Sequence, residues 1–185
     1  MTLKSYVILT TLVLSCFPQL AIAQGNLVVN GSFDTNAAGW TLTNGASYNI
    51  KNGNPPGEVD FERFGGGATA SQTINSLSPG VFYTVSGDYR GIAPVVTSTN
   101  YGFGVSLDGV FYFETTAPTN LDWYTFSFLY AATSSSTVLT LSQIDGNFYG
   151  IDNIAMYAVP EPSAISFILL GSGVLFYVRR RRHRI

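Results

Sequence analysis

The sequence holds a single cysteine, Cys16, and a single histidine, His183, in 185 residues. A disulfide within the chain is excluded. So are a Cys/His zinc site and any Ser-His-Asp or Cys-His catalytic group in the middle of the chain. Charge is scarce as well. Only 11% of residues are ionic, against about 25% in an average soluble domain. No helical periodicity of useful length runs through residues 24–158. A coiled coil, a charge-rich disordered chain and an ordinary helical bundle are thereby excluded. Basic residues are the rarest class in this middle stretch. Three of them, Lys51, Arg63 and Arg90, oppose ten acids, a net charge of −7. So acidic a segment cannot take nucleic-acid phosphates as its main partner.

What is present is aromatic and glycine-rich, with 13 Phe, 11 Tyr and 19 Gly. Apolar residues alternate with period 2 in several runs. Tyr83, Val85 and Tyr89 share one face of residues 82–89. Tyr101, Phe103, Val105 and Leu107 do so in 101–107, and Tyr124, Phe126, Phe128 and Tyr130 in 123–130. Leu139 and Leu141 repeat the pattern in 138–142. These are half-buried strands. Asp108-Gly109 is a hairpin turn joining 101–107 to 110–114. Asn44-Gly45, Asn52-Gly53, Pro55-Pro56-Gly57, Pro79-Gly80 and Asp145-Gly146 mark further turns. Eight to ten short strands in residues 24–158 predict an all-β fold, a β-sandwich of the jelly-roll kind.

Both ends read as addresses. Lys4 precedes an apolar run at residues 6–14, and Ala21-Ile22-Ala23 supplies small residues at −3 and −1. That order predicts a secretory signal peptide over residues 1–23, cut before Gln24 with Ala21 and Ala23 at the cleavage site. A competing reading makes Cys16 a lipidated first residue, although bulky Leu14 fits a lipobox poorly. At the other end, Val159-Pro160-Glu161-Pro162-Ser163 comes first. Residues 164–178 follow without a charge, and Arg179, Arg180, Arg181, Arg182, His183 and Arg184 close the segment. Fifteen helical residues reach about 22 Å, short of the roughly 30 Å of hydrocarbon. Snorkelling arginines extend that reach, and their charge keeps them on the inner side. The prediction is a marginal single transmembrane helix with the rest of the chain outside.

In its order of parts, this C-terminal stretch resembles the PEP-CTERM sorting signal of Gram-negative bacteria. The resemblance implies an exosortase-type membrane protease as partner, acting at Val159, Pro160, Glu161 and Pro162. It implies a transient inner-membrane anchor stopped by the arginines, then a place at the cell surface, in the outer envelope or outside the cell. A plain single-pass anchor is the alternative.

The middle resembles a second family. Asn26-Leu27-Val28-Val29-Asn30-Gly31-Ser32-Phe33-Asp34 with Gly39-Trp40 is similar to the opening of carbohydrate-binding modules of the galactose-binding-like jelly-roll type. Ser71-Gln72-Thr73-Ile74 matches a later landmark, and Gly150-Ile151-Asp152-Asn153-Ile154 the closing strand. The resemblance implies a structural Ca²⁺ shared by the first and last strands, here by Ser32, Asp34 and Asp152. By alternation, Asp152 is expected on the face of Ile154 and Met156, partly buried and in need of a partner or a cation. Its other reading is a carboxylate that accepts backbone amides.

Glu58, Asp60 and Glu62 are expected on one strand face, either solvated or guarding a sheet edge. A carboxylate pair for glycan hydrolysis is the distant alternative. Trp40 and Trp123 are expected in the core. Tyr112 and Tyr149, near hairpin ends, are the expected surface platforms for sugar rings. The domains are then residues 1–23, 24–158 and 159–185. The reading is an exported, non-enzymatic protein whose sandwich binds carbohydrate or exopolysaccharide. A purely structural envelope or biofilm-matrix protein is its alternative.

Overall fold

The computed structural model describes residues 25–62, 66–92, 102–116, 120–144, 146 and 148–160. The expected signal peptide, the arginine stop, Glu161 and Pro162, and the strand residue Tyr101 lie outside these residues. Among the described residues, no helix is long and apolar enough to cross a membrane. Segment 164–178 was not among them.

Among the described residues ten strands form, at the upper end of the expected number. They are β1 (Thr41–Thr43), β2 (Ala46–Gly53), β3 (Pro56–Phe61), β4 (Thr69–Asn75) and β5 (Phe82–Gly91), then β6 (Gly102–Leu107), β7 (Val110–Thr116), β8 (Tyr124–Ala131), β9 (Ser136–Gln143) and β10 (Tyr149–Ala158). Two five-stranded sheets result, with orders β1-β4-β9-β6-β7 and β2-β3-β10-β5-β8. Their strand pairs are antiparallel. The fold is an all-β sandwich, as the alternation predicts, and Gln24–Val159 is one compact unit.

Alternation decides which face of each strand is buried. In β5, Tyr83, Val85 and Tyr89 are buried while Thr84, Ser86, Asp88 and Arg90 are half-exposed. In β8, Phe126 and Tyr130 are buried and Phe128 packs beside them. From the first sheet, Phe103, Val105, Leu139 and Leu141 are fully buried against this layer. Phe103 is the centre of an aromatic cluster, with ring centroids 5.4 Å from Tyr89, 6.0 Å from Phe126 and 5.8 Å from Tyr149. Asp108 (φ 49°) and Gly109 (φ 81°) turn β6 into β7, the positive-φ pair that a two-residue hairpin demands.

The segment before β1 has no regular strand, yet it is tied down throughout. The Asn26 side-chain oxygen accepts the amides of Val28 (3.0 Å) and Met156 (2.9 Å). Gln72 pairs with both backbone groups of Val29, at 2.8 and 2.9 Å. Trp40 is buried, as expected, and its indole N–H donates to the carbonyls of Val29 and Asn30. Phe33 is fully buried, its ring tilted against that of Trp40 with centroids 5.3 Å apart. A Cβ at Gly31 would overlap the Ile154 carbonyl, so only glycine lets this segment lie against β10. The Asn-Gly-Ser-Phe-Asp run is thus a docking sequence for the last strand.

Candidate functional site

The outer face of the second sheet carries most of the ionisable groups that the fold brings together. It is built by register. Gly150 of β10 lies opposite Asp60 of β3 on one side and Arg90 of β5 on the other. Asp152 lies opposite Asp88, and Asn49 of β2 opposite Glu58. Paired residues share a face, so Glu58, Asp60, Asp88, Arg90 and Asp152 all point away from the core.

Glu58 and Asp60 share a face, as expected, but the solvated or edge setting is wrong. β3 is an inner strand between β2 and β10. Glu58 is fully buried and Asp60 nearly so. Glu62 falls past the end of β3 and is exposed. Glu58 reaches across Gly150 to Arg90 and is held bidentately, Nε to Oε2 at 3.0 Å and Nη2 to Oε1 at 2.5 Å. A Cβ on Gly150 would collide with that carboxylate, so the crossing needs glycine. The pairing with Glu58 raises the Arg90 pKa further. On its other side, the guanidinium lies 5.1 Å from the centroid of the Trp123 ring. Asp60 accepts from the Asn49 side chain at 2.6 Å, while its second oxygen has no hydrogen-bond partner. Burial, with the Glu58 charge adding to it, pushes Asp60 up to about 7 against the pull of Asn49.

Asp152 is fully buried, in line with expectation, but not on the expected face. The β10–β5 register shifts between Asp152 and Ala155, and Asn153 takes φ 54°. This bulge inverts the alternation. Ile154 and Met156 turn into the core, whereas Asp152 faces outward beside Asp88. Its oxygens accept the amides of Asn54 (2.6 Å) and Asn153 (2.7 Å). Burial raises its pKa to about 6, with Asp88 and Asp34 adding to the rise against those amide bonds. The Asn153 side chain bridges the Asn54 carbonyl and Asp88. Asp34 accepts from the Ser32 hydroxyl at 2.9 Å. The three residues expected to share a cation therefore lie in one region, with Asp34 close enough to act on Asp152. Among the described residues, no group of three or more His, Cys, Asp or Glu gathers to hold a metal. Any further ligands would be carbonyl or hydroxyl oxygens.

The aromatic assignments change. Tyr149 is fully buried, packed at a tilt against the Phe103 ring, and burial drives its pKa upward. It is not a surface platform, because Tyr149 and Ile151 face inward together. Tyr112 is 41% exposed, but its ring stacks on Phe128 (5.5 Å) and meets Tyr130 edge-on (5.6 Å). It closes the seam between β7 and β8 instead of standing free. Trp123 is half-exposed, not core, because it precedes β8 and turns toward Arg90. Sequence reasoning missed Arg90 as a site residue. The available signal was its rarity, one of three basic residues amid ten acids.

Similarity to known proteins agrees with this geometry. Residues 158–182 match the PEP-CTERM protein-sorting motif. No curated protein matches the sequence. In fold, the chain is similar to the CBM22-1 xylan-binding domain of Paenibacillus barcinonensis Xyn10C, with TM-score 0.58 and 15% identity over 76% of this chain and 99% of that one. It is also similar to TmCBM61, determined with β-1,4-galactotriose (TM-score 0.56, 15% identity, 74% and 100% coverage). A third likeness is to a family 16 carbohydrate-binding module (TM-score 0.54, 17% identity, 71% and 99%). The chain thus carries a PEP-CTERM protein-sorting motif, the C-terminal signal of an exported exosortase substrate, behind a jelly-roll sandwich of the carbohydrate-binding-module fold.

Proposed function

We propose that the sandwich is a carbohydrate-binding domain for an extracellular polysaccharide. In this reading it is held briefly at the inner membrane, then cut at Pro160-Glu161-Pro162 by an exosortase-type protease and left at the cell surface or in the polymer matrix. The observation that carries the binding half is the Glu58–Arg90–Trp123 arrangement. Sugar recognition calls for a flat apolar surface against the C–H face of the ring, beside fixed polar groups for the hydroxyls. Trp123 is half-exposed, and Arg90 is fixed by a bidentate bond to a buried acid. The same bond speaks against hydrolysis. Glu58 is paired and buried, and Glu62 lies off the strand, so a free acid/base pair is not assembled from the three expected acids.

A Ca²⁺ at Ser32, Asp34 and Asp152 belongs to this proposal. Desolvated Asp152 has Asp34 and Asp88 as like-charged neighbours, which is the setting a hard cation relieves. When bound, the ion would neutralise that charge and tie the segment around Phe33 to β10. The burial of Tyr149 and the stacking of Tyr112 favour the second reading, a structural matrix protein without a glycan.

A glycan array with and without chelator tests the proposal, using the exported protein and its Trp123→Ala variant. Binding that is lost in Trp123→Ala, at an unchanged melting temperature, supports it. A wild-type protein that binds no glycan leaves the structural reading. Intact mass tests the processing step, and an exported protein that still carries Arg179–Arg184 would refute it.

A further inference from the structure

The outer face of the second sheet has two unlike ends. Around residues 58–60, 88–90 and 150–152 it carries Glu58, Asp60, Asp88, Arg90 and Asp152. Around residues 82–86, 127–131 and 155–160 it carries no charge at all. At that end, Phe82, Leu129 and Tyr157 are exposed by 54, 59 and 45%. Register places them side by side. Thr84 lies opposite both Leu129 and Tyr157, and Phe82 is two residues from Thr84 on the same face. With strands about 4.8 Å apart, the three side chains span about 10 Å.

Resting on the reading of residues 159–185 as a membrane anchor, we propose that the Phe82–Leu129–Tyr157 patch seats on the lipid bilayer surface while the chain is anchored. Three observations select lipid as the occupant. The first is chain length. The Val159 amide bonds the Phe82 carbonyl at 2.8 Å, so the tether leaves the domain at the patch itself. Residues 160–163 then lead to the apolar segment. Four residues span at most about 14 Å, and headgroups occupy the last several ångströms on each side of the hydrocarbon. The second is charge. An anionic bilayer repels a domain of net charge −7, and the patch is the end of this face that bears no acid. The third is composition. Tyr and Phe favour the membrane–water boundary, where a ring meets acyl chains and a polar edge meets water.

The test uses the full chain in vesicles of phosphatidylethanolamine with a minor share of phosphatidylglycerol. Cys16→Ser removes the only cysteine, and a nitroxide is attached at Leu129→Cys, at Tyr157→Cys, or at Thr73→Cys on the outer face of the first sheet. Flotation first reports whether the chain is anchored. In floated vesicles, the labels at 129 and 157 should show several-fold greater access to oxygen relative to a water-soluble nickel chelate than the label at 73. Protease release should abolish the difference. Chains that do not float would overturn the anchor reading and this proposal with it. Chains that float with all three labels equally wet would overturn the proposal alone. Spin–spin broadening between labels at 129 would assign the patch to a second copy of the chain, and would also overturn it.

Discussion

The two sheets solve the same burial problem with different outer faces. In the first sheet, Ser71 lies opposite Thr140, and Thr140 opposite Ser106, so the central outward row is of short neutral hydroxyls. In the second, outward positions hold Glu58, Asp60, Arg90 and Asp152, of which Glu58 and Asp152 are fully buried. A row of hydroxyls needs only water. A face with buried charge needs each charge matched, and the matching residues become indispensable to one another. The difference shows where this sandwich departs from minimal architecture, and therefore where its function is to be sought.

Four experiments would break or sharpen that contrast. The largest effect is expected from Arg90→Met. It leaves Glu58 buried without its partner and should cost about 3 kcal/mol in urea unfolding. Adding Glu58→Gln should restore part of the loss; a single variant as stable as wild type would show that the ion pair is dispensable. Gly150→Ala should cost about 2 kcal/mol, because its Cβ collides with a carboxylate clamped by Arg90. The matching change in the first sheet is Gly104→Ala. Its Cβ would first meet the ring of Phe111 and the tip of Ile144, both exposed enough to swing aside, and the change should cost less than half as much. Equal losses at the two glycines would erase the distinction.

A pH profile comes next. The folded-state pKa of Asp60 stands near 7, above its ordinary value of 3.8. The folded chain therefore holds a proton that the unfolded chain releases. This contribution is fully present below about pH 3.8 and is lost as pH rises through about 7. Stability should fall across that window, by at most about 1.4 kcal/mol per pH unit for one group. Asp60→Asn should flatten the slope; an unchanged slope in that variant would assign it to other groups. The smallest effect is expected from Thr140→Ala in the hydroxyl row, within about 0.5 kcal/mol of wild type.

The strands were largely legible because alternation reports burial directly. The expected runs at 82–89, 110–114, 123–130 and 138–142 became β5, β7, β8 and β9 with ends shifted by a residue or two. The site was less legible, for three separate reasons. Glu58 and Asp60 look like a solvated row until β10 and β5 bring Gly150 and Arg90 alongside, and those pairings span dozens of residues. Asp152 sits one bulge away from its predicted face, and a single left-handed residue at Asn153 leaves no mark on period-2 counting. Tyr149 was legible in principle, since it alternates with Ile151. Its place at a strand end suggested surface exposure instead, whereas the pairing of β10 with β3 and β5 encloses it.

The position of β10 has a consequence for timing. It is the last strand made, yet it lies between β3 and β5 and joins the two halves of its sheet. It also receives the opening segment, through Leu27 to Met156 and Ile154 to Gly31. A chain threaded from its N-terminus therefore cannot close this sandwich until residue 158 has emerged. Until then β3 lacks its second neighbour, and Phe33 and Trp40 have no finished core to enter. The strand that completes the domain, ending at Ala158, and the sorting motif matched at 158–182 are thus neighbours in the chain.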